Sequence, residues 1–296
     1  MNAARLDFIT ETMRETCAPA FSIAHVESVS GGSVHDSFSV LASDGSRYFI
    51  KTGGAVTLDM FEAERDGLDG LRAPGCFKIP EVIAVRGNAE HACLILEHLD
   101  LRPVSTDAEG KRFGDALAQL HHVTNSEFGW RRDNYLGRTS LNNPWMNQWS
   151  RFLASTRFGP LLSTAIDQGH TELKIPGEKL LNRLPALFIH DPLRPSLTHG
   201  DLWHGNAGMT ADGTPAIFDP ATGFGDPDAD LAMASLFGGF PNGFFLAYRA
   251  AMPAREDHAM RERLYRCFHL LNHLVLFGAA YKRETLRHLK WLNAWT

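Results

Sequence analysis

The chain changes character near residues 97–100, and that switch constrains the fold more than any other feature of the sequence. Before it, short runs rich in alternating and β-branched residues predict strands at 25–30, 36–41, 47–52, 81–86 and 92–97, with Asp44-Gly45 as a hairpin signal. Helices are predicted at 3–16, where Leu6, Ile9 and Met13 share a face, and at 59–71, where Phe61, Leu68 and Leu71 do so before Pro74-Gly75 breaks the pattern. After the switch, 111–123 carries Phe113, Leu117 and Leu120 on one stripe, and 143–166, 177–190 and 256–294 also read as helices. The expectation is an α+β fold of two lobes, a small β-rich one at 1–97 with a five-stranded antiparallel sheet and a larger, mainly helical one at 98–296. A length of 296 residues suits it, being well beyond one typical domain of ~100–150 residues. One stretch breaks the helical half: 196–219 reads as loop, short strand, turn, strand, loop, a setting in which functional groups are commonly presented.

Composition removes several functions. With 44% hydrophobic and 21% charged residues the chain is not of a disordered class. The net charge of −5, without a run of like charges, argues against a nucleic-acid partner. Cys17, Cys76, Cys93 and Cys267 form no Cys-x-x-Cys pair, which suggests reduced thiols in a cytoplasm. Charged residues such as Arg5, Asp7 and Glu11 interrupt the first segment, so no export signal is expected. The apolar run 274–281 is too short to span a membrane.

The informative segment is His199-Gly200-Asp201-Leu202-Trp203-His204-Gly205-Asn206, followed by Asp219 in Ile217-Phe218-Asp219-Pro220. Phosphoryl transfer needs an acceptor for a hydroxyl proton, oxygen ligands for Mg²⁺ and a cation on the phosphates. An Asp with an Asn five residues on, and a second Asp from a later loop, is how kinases supply the first two, and Asp201, Asn206 and Asp219 keep that order. Upstream, Gly31-Gly32 stands between two strands, Lys51 lies in the third, and Glu64 on the next helix, as in the lysine–glutamate pair that holds kinase phosphates. Each residue alone has a bland reading as a turn, a cap or a solvated strand end. Together, in this order, they point to an ATP- and Mg²⁺-dependent kinase.

At these residues the chain resembles the fructosamine kinase (ketosamine-3-kinase) family, in the aminoglycoside-phosphotransferase-like branch of the protein-kinase-like fold. The resemblance runs nearly the whole length: Ser30-Gly31-Gly32-Ser33, Tyr48-Phe49-Ile50-Lys51, Met60 to Glu64, Leu94 to Leu99, Phe128-Gly129 with Asp133-Asn134, Thr198 to Asn206, Asp230 to Met233 and Leu236 to Phe240. The Asp-Leu-Trp continuation and the Phe-Gly-Gly-Phe segment are the most specific parts.

The resemblance implies a catalytic Asp201, Mg²⁺ ligands at Asn206 and Asp219, and nucleotide contacts at Gly31, Gly32, Ser33, Lys51 and Glu64. Glu97, His98 and Leu99 match the hinge beside the adenine, Trp203 and His204 fall toward the acceptor, and Asp230 resembles the buried acid that braces the catalytic loop. It implies transfer to a sugar hydroxyl, O3, of a ketosamine, free or protein-bound, by a monomer or homodimer. Two departures stand out: Ser33-Val34-His35-Asp36 replaces the family's frequent small or Cys residue followed by Ile-Asn, and His204 replaces a small residue. An aminoglycoside, choline or homoserine kinase, or a nucleotide-binding pseudokinase, shares much of this pattern and is separated by acceptor turnover. His269 and His273, four apart, lack the glutamate of a zinc-peptidase motif. His121-His122 reads as a helix cap. Tyr265, Phe268, Phe277 and Trp291 read as core.

Overall fold

The computed structural model describes residues 3–17, 19–29, 35–188 and 193–295. The glycine turn with Gly31, Gly32 and Ser33 lies outside the described residues.

Helix α1 (Ala3–Thr16) is followed by β1 (Ile23–Ser28), β2 (Asp36–Ala42), β3 (Arg47–Gly54), α2 (Leu58–Arg72), β4 (Val82–Gly87) and β5 (His91–Glu97). The strands form one antiparallel sheet in the order β1-β2-β3-β5-β4. Period-two alternation along a strand sends neighbouring side chains to opposite faces, and β5 shows why both of its faces are apolar. Cys93 and Ile95 pack with Val40, Ile50 and the α1 residues Phe8, Ile9 and Met13. Ala92, Leu94 and Leu96 face the other way, onto Phe61, Leu68 and Leu71 of α2. Each such Leu, Ile or Phe contributes about 1.5–3 kcal/mol by leaving water, so the sheet is held between two helices.

The rest is mainly helical: α3 (Asp107–His121), a hairpin of β6 (Asn134–Leu136) and β7 (Thr139–Leu141), α4 (Trp149–Leu153), α5 (Gly159–Asp167) and α6 (Lys174–Leu187). After β8 (Ser196–Thr198), β9 (Ala207–Met209), β10 (Pro215–Ile217) and β11 (Gly223–Gly225) come α7 (Asp228–Leu236), α8 (Asn242–Ala251), α9 (His258–Phe277) and α10 (Lys282–Ala294).

Three predicted helices have different limits for local reasons. Helix α3 begins earlier because Thr106 and Glu109 form a reciprocal capping box. The span 143–166 is interrupted by a π-turn at Ala154–Phe158, where Pro160 has no N–H for the carbonyl of Thr156. The span 256–294 is cut at Gly278, whose φ of +89° suits glycine. Helices α7 and α8 and the β6–β7 hairpin were not expected. Tyr265 and Phe268 are buried, but Phe277, read as core, is 50% exposed beside His273 and Tyr281. Among the described residues no helix is long and apolar enough to cross a membrane.

Candidate active site

Strand β3 carries Lys51 inward and α2 presents Glu64 opposite it. Lys51 Nζ lies 2.8 Å from both carboxylate oxygens of Glu64 and 2.8 Å from Oδ1 of Asp219, which arrives from the loop after β10. Burial pulls the Lys51 ammonium toward neutrality, but Asp219 and Glu64 more than offset it and keep it charged. Burial pushes Glu64 up to about 7 against the pull of Lys51. Asp219 is held below the ordinary carboxylate range because Lys51 outweighs its desolvation. Among the described residues Asp219 is the only non-glycine residue with φ in the left-handed region, +59°. Such backbone strain concentrates at functional positions.

Asp201 follows β8, in a loop stitched to its neighbours. The backbone N–H groups of His199 and Gly200 donate to the two oxygens of buried Asp230, at 2.7 and 2.8 Å. Asp230 in turn accepts from His121 Nε2, whose Nδ1 meets the Tyr248 hydroxyl at 2.7 Å. His121 is therefore not a helix cap but a buried member of this brace; His122, beside it, bonds the Ala118 carbonyl. His199 donates from Nε2 to the Phe218 carbonyl and accepts the Asp201 N–H on Nδ1, which fixes its tautomer and ties the Asp201 loop to the strand leading to Asp219. Gly200 has φ +82°, and a Cβ there would lie 2.1 Å from the Ala221 carbonyl oxygen, so no other residue fits between the two loops.

Asn206 spends its amide N–H groups on the Asp201 carbonyl, 3.0 Å, the Asp201 carboxylate, 3.2 Å, and the Asp219 carbonyl, 3.3 Å. Its amide oxygen is a hard acceptor in the same cluster as Asp219. Burial, with the charge of Asp219 adding to it, pushes Asp201 up to about 8. The cluster opposes one ammonium to three carboxylates, Glu64, Asp219 and Asp201, a balance that favours a further cation. The oxygen donors of Asn206 and Asp219 suit Mg²⁺.

The structure thus brings Lys51, Glu64, Asp201, Asn206 and Asp219 into one cluster. Glu97, His98 and Leu99 stand at the end of β5, where the sheet gives way to helices; the Glu97 carboxylate is turned to Lys78, 2.7 Å, and the Glu81 N–H. Trp203 folds its ring over Gly205, where a Cβ would lie 2.3 Å from it, and meets His204 edge-on. His204 Nδ1 is 3.2 Å from the Gly238 carbonyl, and its ring fills the space a Cβ on Gly239 would need. The Phe-Gly-Gly-Phe segment therefore borders the loop that carries Asp201.

Two further features border the cluster, the first within the departing segment Ser33-Val34-His35-Asp36. His35 sits against Phe61, and burial together with the charge of Lys51 lowers it to about 4, so it is a neutral neighbour of the cluster. Helix α2 is strapped to residues 130–135, which lead into β6: Asp66 accepts from Trp130 Nε1 and Arg131, each 2.6 Å, and Asp59 from Arg132 and Tyr135, each 2.7 Å. Acidic residues on the flank of α2 were the only hint.

The family model for fructosamine kinase matches residues 6–294. The chain belongs to the fructosamine kinase family. A Synechocystis protein named a probable ketoamine kinase is 36% identical over 95% of each chain. The Arabidopsis thaliana protein-ribulosamine 3-kinase is 31% identical over 90% of this chain and 82% of its own. A solved structure from Thermobifida fusca, assigned as a fructosamine-3-kinase, is 30% identical, with a TM-score of 0.83 and coverage of 97% and 99%. More distant structures show the wider fold: an aminoglycoside phosphotransferase at TM-score 0.60 and LicA in complex with AMP at 0.64. This fructosamine kinase family member has the protein-kinase-like fold.

Proposed function

We propose that the chain transfers the terminal phosphoryl group of ATP to a hydroxyl, O3, of a ketosamine, the adduct of a sugar with an amine. The observation that carries this reading is the single cluster in which Lys51 bridges Glu64 and Asp219 while Asn206 joins Asp219 to Asp201. Membership of the fructosamine kinase family and the names of the relatives supply the acceptor class and the position.

In this reading residues 1–97 form a nucleotide lobe and 98–296 a catalytic lobe. Lys51, kept charged by its two partners, holds phosphate oxygens, and Glu64 keeps its ammonium aimed into the cleft. Glu97, His98 and Leu99 border the adenine, and Gly31, Gly32 and Ser33 are assigned to the phosphates by their match to the family's glycine motif. Asp201, fixed by Asn206, His199 and the Asp230 brace, orients the acceptor hydroxyl and takes up its proton. Asn206 and Asp219 would hold Mg²⁺, which when bound neutralises charge on the phosphates and favours the ionised form of Asp201. Trp203 offers an apolar ring face to the sugar beside His204. A cytoplasmic setting would supply the ATP.

The test is a coupled ADP assay with purified protein against fructose-lysine, ribulose-lysine, aminoglycosides, choline and homoserine. Turnover confined to the ketosamines supports the reading. Turnover of another acceptor moves the chain to another branch, and nucleotide binding without turnover of any acceptor favours a pseudokinase.

A further inference from the structure

The transferred phosphate and the amine end of a ketosamine have evident places, the one at Asp201 and the other toward solvent, where a protein-bound adduct must project. The sugar carbons beyond O3 need a third place, and its assignment rests on the ketosamine kinase reading.

A cavity of about 60 Å³ lies against the catalytic loop. Its wall includes Gly200, the residue before Asp201, and Ala221, two residues after Asp219, so it abuts the two loops that carry those carboxylates. Trp149 and Phe224 give it aromatic surface, and Arg157 and His269 are polar groups at its lining.

Both polar groups have unspent capacity. Arg157 donates to the carbonyls of Asn142 and Thr156, the latter freed by Pro160, and to Oδ1 of Asn143. All of these are neutral acceptors, and among the described residues no carboxylate reaches ion-pair distance of its guanidinium. Burial accordingly pulls Arg157 down to about 9, with Asp133 only partly opposing it. His269 is 2% exposed, and its Nδ1 is buried without a hydrogen-bond partner, a state that costs stability unless a ligand answers it. His269 lies one helical turn from His273, whose ring meets Phe237 of the Phe-Gly-Gly-Phe segment, so the helix that lines the cavity also contacts the segment bordering His204.

Aromatic walls with one strong donor and one imidazole suit a polyol, whose C–H faces lie on rings and whose hydroxyls both donate and accept. Each water-sized group takes ~10–15 Å³ of such space, so the volume accommodates about four to six heavy atoms, the scale of the carbons and hydroxyls beyond O3. We propose that this cavity is the subsite for the distal hydroxyl-bearing carbons of the ketose, with Arg157 and His269 as its binding residues and sugar chain length as the property it reads.

The experiment measures kcat and KM, at saturating Mg·ATP, for lysine ketosamines made with four-, five- and six-carbon sugars. Arg157→Gln should raise KM for the five- and six-carbon acceptors about tenfold or more through a lost charge-assisted hydrogen bond, with the four-carbon acceptor and the KM for ATP changed less than about twofold. Ala229→Leu, which fills the same cavity and leaves Arg157 in place, should shift preference toward the four-carbon acceptor, and it decides the matter if Arg157→Gln fails to fold. A uniform change across the three chain lengths, or no change in either folded variant, overturns the proposal. If the wild-type protein phosphorylates no ketosamine, the ketosamine kinase reading itself fails and takes the subsite with it, a result visible before any variant is made.

Discussion

Replacing Asp201 by Asn should abolish phosphoryl transfer and, in metal-free buffer, make the protein more stable. The native environment raises the Asp201 carboxyl from 3.8 to about 8, chiefly by burial and then by the charge of Asp219. Between those values the folded protein binds more protons than the unfolded chain, so this group's contribution to stability falls as pH rises through the window and levels off above about 8. A tenfold change in proton affinity is worth ~1.4 kcal/mol, so at pH 7 the cost is at most ~4 kcal/mol. Asp201 keeps some surface in the cleft, and screening reduces the figure to about 2–3 kcal/mol. Asparagine carries no such cost and retains the size of the side chain. For a chain of this length ~1 kcal/mol moves the melting temperature by about 2 °C, so Asp201→Asn should melt about 4–6 °C above wild type at pH 7 in EDTA. Scanning fluorimetry from pH 5 to pH 8 should show the difference widening with pH. A constant difference, or a variant less stable at pH 8 than at pH 5 relative to wild type, would refute the argument that an uncompensated buried carboxylate sits in the catalytic loop.

Other outcomes follow from the same contacts. Lys51→Met leaves Glu64 and Asp219 facing each other without their cation, so kcat/KM for ATP should fall at least about 100-fold with a lower melting temperature; Lys51→Met/Glu64→Gln should recover stability but not activity. Asp230→Asn weakens the acceptor for the His199 and Gly200 N–H groups, and steady-state kinetics should show kcat reduced roughly 10–100-fold with little change in the KM for ATP. Gly239→Ala forces a Cβ to within 2.5 Å of the His204 ring at a φ of +98°, so the acceptor KM should rise while nucleotide affinity measured by titration stays near wild type.

The local code of the sequence reached the sheet and the clustered candidate residues. Alternation, glycine turns and the Asp44-Gly45 hairpin placed all five strands within two or three residues, because these signals act over a few neighbours. Order and spacing singled out Lys51, Glu64, Asp201, Asn206 and Asp219 as one set, and the structure brings them together; their roles in transfer are the proposal. The brace behind Asp201 was less so: His121 and Tyr248 each follow the buried face of their own helix, but they are far apart in the chain and nothing local says that they meet. The strap of Asp59 and Asp66 on Arg132 and Trp130 is invisible for the same reason, because acidic residues on an amphipathic helix read as a solvated face. The π-turn that sets Arg157 at the cavity needed Pro160 to be read as a helix defect rather than a helix start.

The central claim is that one carboxylate, held against a lysine-bridged acid cluster, directs ATP to O3 of a ketosamine. Purified protein with Mg·ATP and ribulose-lysine, followed by phosphorus and carbon NMR, should give ADP and a sugar phosphate ester at O3 in equal amounts, and Asp201→Asn should give neither. ADP without an ester, an ester at another oxygen, or equal turnover by Asp201→Asn would contradict it.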